Sequence, residues 1–124
     1  MIHLDTHILI WLAERRRTPL SATARRVVER DELAISPTVV MELETLHAIG
    51  RLKSEPDRLL GVAERDFSVI RSRAIFNDVV EAARTFAWTR DPFDRLIVAN
   101  AMADGVRLLT ADEHILSHFK DAVW

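Results

Sequence analysis

Four acidic residues stand at positions where a parallel β-sheet would bring them together. Asp5 follows a short apolar run that begins at Ile2, and Asp112 lies two residues beyond a second apolar run, residues 106–110. Glu42 and Asp94 lie in segments with helical periodicity, on sides that also carry apolar residues. Because α/β proteins bind ligands beyond the carboxyl ends of their strands, we expect these four carboxylates to converge at that edge.

Carboxylates that share a pocket repel one another unless a positive charge lies between them. No cysteine or histidine belongs to this set, and oxygen-only ligation favours hard ions such as Mg²⁺ or Mn²⁺ over zinc. Such ions polarise phosphoryl oxygens and activate water. The pattern therefore predicts hydrolysis of a phosphodiester.

Each acid also has a plainer explanation when it is considered alone. Asp5 and Asp112 both precede helical patterns and could be ordinary N-caps. Glu42 could be solvated or paired with an arginine, and Asp94 could interact only with the dipole of its helix. Only the convergence of all four distinguishes a site from these explanations.

The elements that must position the acids alternate between strand and helix. Strands are predicted at residues 2–5, 33–35, 67–70, 106–110 and 123–124. Helices are predicted to follow them, with capping residues at Ser21, Ser36 and Asp91 and with Asn77 capping a helix that runs to Ala87. Parallel neighbours require crossover connections, so this alternation predicts an α/β fold with a parallel sheet covered by helices on both faces.

The stretch from Asp91 to Ile97 is the most informative. Asp91 fits the N-cap position and Pro92 the first helical position, which makes Asp94 the third residue of the helix. Asp94 then shares a helix face with Ile97 and Val98, the side expected to meet the sheet. An acid there is more consistent with function than with a solvated surface.

Length and composition limit the class of protein. The 124 residues fit one domain, residues 1–124, and the absence of cysteine excludes disulfides and favours a reducing compartment, the cytoplasm. We expect neither a membrane span nor a signal peptide. The net charge of -2 argues against a generic basic nucleic-acid binder. Only Lys53 and Lys120 are lysines, so the positive charge is almost all guanidinium, which either serves phosphate binding or reflects codon bias.

With these segments in place, the chain resembles the PIN-domain nucleases, and more narrowly the VapC-type toxins of toxin/antitoxin pairs. The resemblance spans essentially the whole chain and includes residues 4–12, Ser36-Pro37 with Glu42, residues 91–97, residues 109–112 and a closing tryptophan. It implies a three-layer α/β/α fold with a mainly parallel sheet, and Mg²⁺- or Mn²⁺-dependent endonucleolytic cleavage of RNA.

The same resemblance assigns roles to residues and implies partners. It implies that the metal-binding catalytic acids are Asp5, Glu42, Asp94 and Asp112, with Thr6 and Thr110 as supporting hydroxyls. Asp91 belongs to the same motif but ranks behind Asp94 because capping already explains it. The implied partners are a small VapB-like antitoxin that places an arginine in the acidic pocket, a second copy of the chain in a homodimer, and DNA only through the antitoxin complex.

The three histidines near the predicted site are interpreted as packing or surface residues. They are His3, His7 and His114, and the chemistry of the family does not rely on a histidine base.

Three other functions remain to be weighed. A haloacid-dehalogenase-type phosphatase needs a second acid two residues after Asp5, where His7 stands. A phosphoreceiver domain needs a lysine near its acceptor aspartate, and neither Lys53 nor Lys120 is suitably placed. A non-catalytic PIN-type binding module stays open, although the presence of all four acids argues against it.

Overall fold

Seven helices and five short strands alternate along the chain in the computed structural model, which describes residues 1–124. The elements are β1 (Ile2–Leu4), α1 (Thr6–Ala13), α2 (Ala22–Arg30), β2 (Leu33–Ile35), α3 (Pro37–Ala48), α4 (Pro56–Phe67), β3 (Ile70–Arg71), α5 (Phe76–Ala83), α6 (Pro92–Asp104), β4 (Arg107–Leu109), α7 (Glu113–His118) and β5 (Ala122–Val123). The predicted alternation of strand and helix is confirmed.

All five strands are parallel and lie in the order β3-β2-β1-β4-β5. Successive side chains of a strand point to opposite faces, and every residue of β1 and β2 is buried, so helices cover both faces. The predicted α/β/α architecture is therefore confirmed. The chain moves outward from β1 to β3 and then returns to place β4 on the other side of β1, which creates a switch point between β1 and β4.

The core is built from apolar side chains on the strands and on the inner faces of the helices. Leu4 and Leu108 from the sheet, Leu9 from α1 and Leu43 from α3 are all fully buried. Full burial of such a side chain is worth about 1.5–3 kcal/mol, so these residues fix α1 and α3 on the sheet. Pairwise packing of α1 with α4 and of α5 with α6 completes the layers.

Several predicted boundaries are wrong. The predicted third strand began at Phe67, but α4 continues through Phe67 and ends at Ser68, whose left-handed conformation (φ 54°) delays β3 to Ile70. Strand β4 is shorter than predicted and β5 begins one residue earlier, because pairing is limited to the residues in register, Leu108 with Ala122 and Leu109 with Val123.

The fifth helix also departs from its prediction. It begins at Phe76, so Asn77 lies inside the first turn, and no side chain caps this helix. It ends at Ala83 and not at Ala87. The chain beyond it is held by tertiary packing, since the ring of Trp88 stacks on that of His118 in α7 with 5.1 Å between centroids. Such packing overrides the helical pattern.

None of the helices has the length and hydropathy needed to cross a bilayer.

Candidate functional site

Three helices begin at the carboxyl edge of the sheet, and each is capped by an aspartate. Asp5 follows β1 and accepts a hydrogen bond from the Thr6 backbone N–H at 2.8 Å. Asp91 caps α6, and Asp112 caps α7 by accepting from the Ile115 N–H at 2.9 Å. The capping explanation is thus correct for all three. This explanation does not exclude a functional site. Capping itself places these carboxylates at the carboxyl edge of the sheet, near the positive ends of the helix dipoles.

Thr110 joins two of these aspartates. Its hydroxyl donates to Asp5 Oδ2 at 2.6 Å and accepts from the Asp112 N–H at 3.0 Å. Asp5 is only 6% exposed, and burial raises the pKa of its carboxyl although the hydrogen bonds from Thr110 and Thr6 act to lower it. The carboxyl group is therefore held in place at a cost to its ionised form.

Glu42 reaches the same edge from the middle of α3. Its Oε2 accepts a hydrogen bond of 2.6 Å from the Thr6 hydroxyl, which fixes the start of α1 against α3. Burial is the main reason that the pKa of Glu42 is raised, and the charges of Asp5 and Asp91 raise it further, against the lowering effect of the Thr6 hydrogen bond. The arginine partner considered for Glu42 does not exist in the structure.

Asp94 also has a raised pKa, and it differs from the other acids at this edge in receiving no hydrogen bond from the protein. It lies in the first turn of α6, half-buried, and no protein hydrogen-bond donor reaches its carboxylate. Burial is the largest cause of the rise in its pKa to about 7, and the other four carboxylates at this edge add to it. These mutual effects show that the acids share one electrostatic environment, since isolated surface acids would not couple in this way.

We call the five side chains the acidic cluster: Asp5, Glu42, Asp91, Asp94 and Asp112. No lysine or arginine forms an ion pair with any of them. The imidazole of His7 is exposed beside the acidic cluster, and its electrostatic effect is to lower the pKa values of Asp5 and Glu42. His7 was expected to be a packing or surface residue, and only its position two residues after Asp5 in the sequence indicated this proximity.

The donor chemistry of the acidic cluster fits a hard divalent cation, because every available group is a carboxylate or hydroxyl oxygen and the negative charge is uncompensated. The side chains do not yet form a ligand cage, however, since no three acidic or histidine groups lie close enough to hold one ion together. Uncompensated carboxylates repel and keep apart. Ion binding would therefore require the carboxylates to move toward one another.

The other two histidines lie outside the acidic cluster. His3 is fully buried and its Nε2 lies 2.8 Å from Asp104 Oδ2, which also accepts a 2.6 Å hydrogen bond from Ser72. His114 is exposed, lies edge-on to the Trp88 ring and has its Nε2 2.6 Å from the Trp88 carbonyl oxygen. His3 is thus a packing residue, as expected, and His114 a surface one.

Comparison with known proteins agrees with this arrangement. Residues 2–121 match the family described as PIN domain. The chain is 28% identical over 117 residues to the Ribonuclease VapC22 of Mycobacterium tuberculosis, an alignment that covers 93% of this chain and 89% of that protein. Among solved structures it resembles a chain of the VapBC2 crystal structure from Rickettsia felis, bound to a DNA fragment from their promoter. That match has a TM-score of 0.68 and 18% identity, and covers 99% of this chain and 96% of the other.

Proposed function

Because the chain belongs to the PIN-domain family, we propose that it is a metal-dependent endoribonuclease, with residues 1–124 as a single nuclease domain. The observation that carries this proposal is the acidic cluster, in which five carboxylates face the carboxyl edge of the sheet and none forms an ion pair with a lysine or arginine. Such an arrangement is electrostatically costly for a purely structural role. It is suited to binding a cation that acts on a phosphodiester.

Within this proposal Asp5, Glu42, Asp94 and Asp112 hold Mg²⁺ or Mn²⁺, and Asp91 acts mainly as the cap of α6. Lewis-acid activation of the phosphodiester and of the attacking water is what the bound ion supplies. The chain's own contribution is orientation. Thr6 and Thr110 donate their hydroxyl hydrogens to Glu42 and Asp5, and these hydrogen bonds orient the two carboxylates toward the acidic edge.

We also propose that the protein is the toxin of a toxin/antitoxin pair that works in the cytoplasm on RNA. The relative from Mycobacterium tuberculosis is called a ribonuclease, and the Rickettsia felis structure is a VapBC2 complex on promoter DNA. A VapB-like antitoxin that inserts an arginine would compensate the acidic cluster, and DNA would be bound only through that complex. Exposed apolar side chains at the start of α5, Ile75 and Phe76, both 67% exposed, offer a surface for the implied homodimer.

Cleavage of RNA by the purified protein tests the proposal. Wild type should cut mixed single-stranded RNA internally in Mg²⁺ or Mn²⁺ and should stop cutting in EDTA. Asp5→Asn and Asp94→Asn should abolish cleavage, because each removes an anionic ligand without leaving a cavity. The matched control is Asp121→Asn, an exposed acid outside the site, which should cleave normally.

Full activity in either site variant would contradict the assignment. A wild type that binds RNA in Mg²⁺ without cutting it would favour the non-catalytic binding module instead.

A further inference from the structure

An open groove of about 780 Å³ runs from the acidic cluster along one side of α1 and α3. Glu42 and Asp91 belong to its wall, so the groove is continuous with the proposed catalytic edge. Trp11 and Phe93 also line it, and aromatic side chains bind unstacked bases. The groove thus combines a path to the site with surfaces suited to bases.

Two cations enter this groove from the segment that follows α3. The chain turns at Gly50, which has a positive φ of 78°, and the N–H groups of Arg51 and Leu52 both bond to the Leu46 carbonyl, at 2.9 and 3.1 Å. His47 Nδ1 lies 2.9 Å from the Leu52 carbonyl oxygen. These contacts pin the backbone of the segment to the end of α3.

Alternation along this segment then separates its side chains. Leu52 is 6% exposed and packs in the core, whereas Arg51 and Lys53 on either side of it are exposed and line the groove. Leu52 therefore anchors the two cations and directs both away from the core. Neither Arg51 nor Lys53 forms an ion pair or a side-chain hydrogen bond with the protein.

The groove therefore carries opposite charges in two places. Glu42 lies in the middle of α3, about 9 Å before the end of the helix at roughly 1.5 Å per residue, and the two cations follow that end. The Arg16 side chain also reaches the groove but is 3.5 Å from Glu14, which partly neutralises it. A polyanion approaching the acidic cluster would be repelled by it, so binding requires cations close by but separate from the carboxylates.

We propose that Arg51 and Lys53 bind backbone phosphates of the RNA strand and position its scissile bond at the acidic cluster. This inference rests on the proposed function, and both residues act as positioning residues without touching the reacting atoms. A phosphate neutralised by a lysine or arginine releases bound counterions, so each such contact makes affinity more sensitive to salt. Contacts of this kind do not depend on base sequence.

The test is RNA binding in the Asp94→Asn background, in EDTA, where no cleavage interferes. A labelled single-stranded RNA of mixed sequence is titrated by fluorescence anisotropy between 50 and 200 mM KCl. The double variant Arg51→Ala/Lys53→Ala should lower the slope of log affinity against log salt by about 1.4, from about 0.7 per contact. Across this fourfold range of salt, the affinity of the protein that keeps Arg51 and Lys53 should therefore fall about sevenfold more than the affinity of the double variant.

Two controls separate charge from folding. Arg26→Ala/Lys120→Ala removes one exposed arginine and one exposed lysine that lie outside the groove and form no ion pair, and it should keep the original slope. The swapped pair Arg51→Lys/Lys53→Arg should also keep it, since both charges remain. Far-UV circular dichroism confirms that each variant is folded.

Two results would overturn the proposal. One is an unchanged slope in Arg51→Ala/Lys53→Ala, which would assign the groove to a protein partner if this variant also lost antitoxin binding. The other is an equal decrease of the slope in the Arg26→Ala/Lys120→Ala control. Because binding is measured without cleavage, these outcomes are independent of the catalytic test. A protein that binds RNA through the pair but never cuts it would refute only the proposed function.

Discussion

Replacing Asp94 with asparagine should make the metal-free protein more stable at alkaline pH while removing its proposed activity. The pKa of Asp94 is raised from the usual 3.8 to about 7, mainly by burial and further by the neighbouring carboxylates. Between these two values the folded state binds a proton that the unfolded chain has lost, so the stability of wild type falls as pH rises through this range. Asparagine is neutral at every pH and avoids that fall.

The magnitude follows from the size of the pKa change. A rise from 3.8 to about 7 corresponds to about 4 kcal/mol for a group shielded from water. Asp94 is only half-buried, and solvent screening reduces this to about 2 kcal/mol. In a domain of this size about 2 kcal/mol corresponds to a change of roughly 8 °C in melting temperature. The gain should be complete above pH 7 and should disappear as pH falls toward 4.

Thermal unfolding followed by circular dichroism, in EDTA at pH 5, 6, 7 and 8, measures this directly. The difference in melting temperature between Asp94→Asn and wild type should grow with pH. The control variant Asp121→Asn, an exposed acid outside the acidic cluster, should show no such growth. An Asp94→Asn protein that is no more stable than wild type at pH 8, or equally more stable at pH 5, would refute the electrostatic reasoning.

Two further predictions concern the ion and the threonine hydroxyls. Mn²⁺ at about 100 times its Kd should stabilise wild type by about 2.7 kcal/mol through binding to the folded state. The stabilisation should be clearly smaller in Asp112→Asn. Equal shifts of the melting temperature in calorimetry would remove Asp112 from the site. Thr110→Val should destabilise the protein by about 1–3 kcal/mol in urea unfolding, because buried Asp5 loses the hydroxyl 2.6 Å away, whereas Thr18→Val, at an exposed position, should be close to neutral.

Local sequence patterns were sufficient for much of the fold. Ser21 and Ser36 cap their helices through side-chain hydrogen bonds, and Asp91 with Pro92 begins α6, as predicted, because these signals act within a single turn. Asn77 lies inside the first turn of α5, past the capping position predicted for it, and the helix stops at Ala83 because the chain after it packs on α7 through the rings of Trp88 and His118. Contacts between distant parts of the chain do not appear in a local pattern.

The same distinction applies to the site. Asp5 and Asp112 were predictable because strand ends fix which edge they occupy. The hydrogen bonds from Thr6 to Glu42 and from Thr110 to Asp5 join residues far apart in the sequence, and the resemblance alone pointed to the two threonines. The sequence pattern around Arg51 and Lys53, an apolar residue between two cations after a glycine, predicts that both cations are exposed. Nothing in that pattern showed that the groove beside them leads to Glu42.

The distribution of hydrogen bonds in the acidic cluster identifies the charge that the proposed cation would compensate. Asp5 and Glu42 each receive a threonine hydroxyl, so the chain itself stabilises part of their charge. Asp94 receives no donor, and its pKa is raised to about 7. Once Asp94 loses its proton, the chain does not compensate its charge, and a divalent ion or an arginine of a partner would do so at the same place. Under the proposed function, the ion and the antitoxin therefore compete for the same uncompensated negative charge. Inhibition of the nuclease by the antitoxin then needs no change of fold.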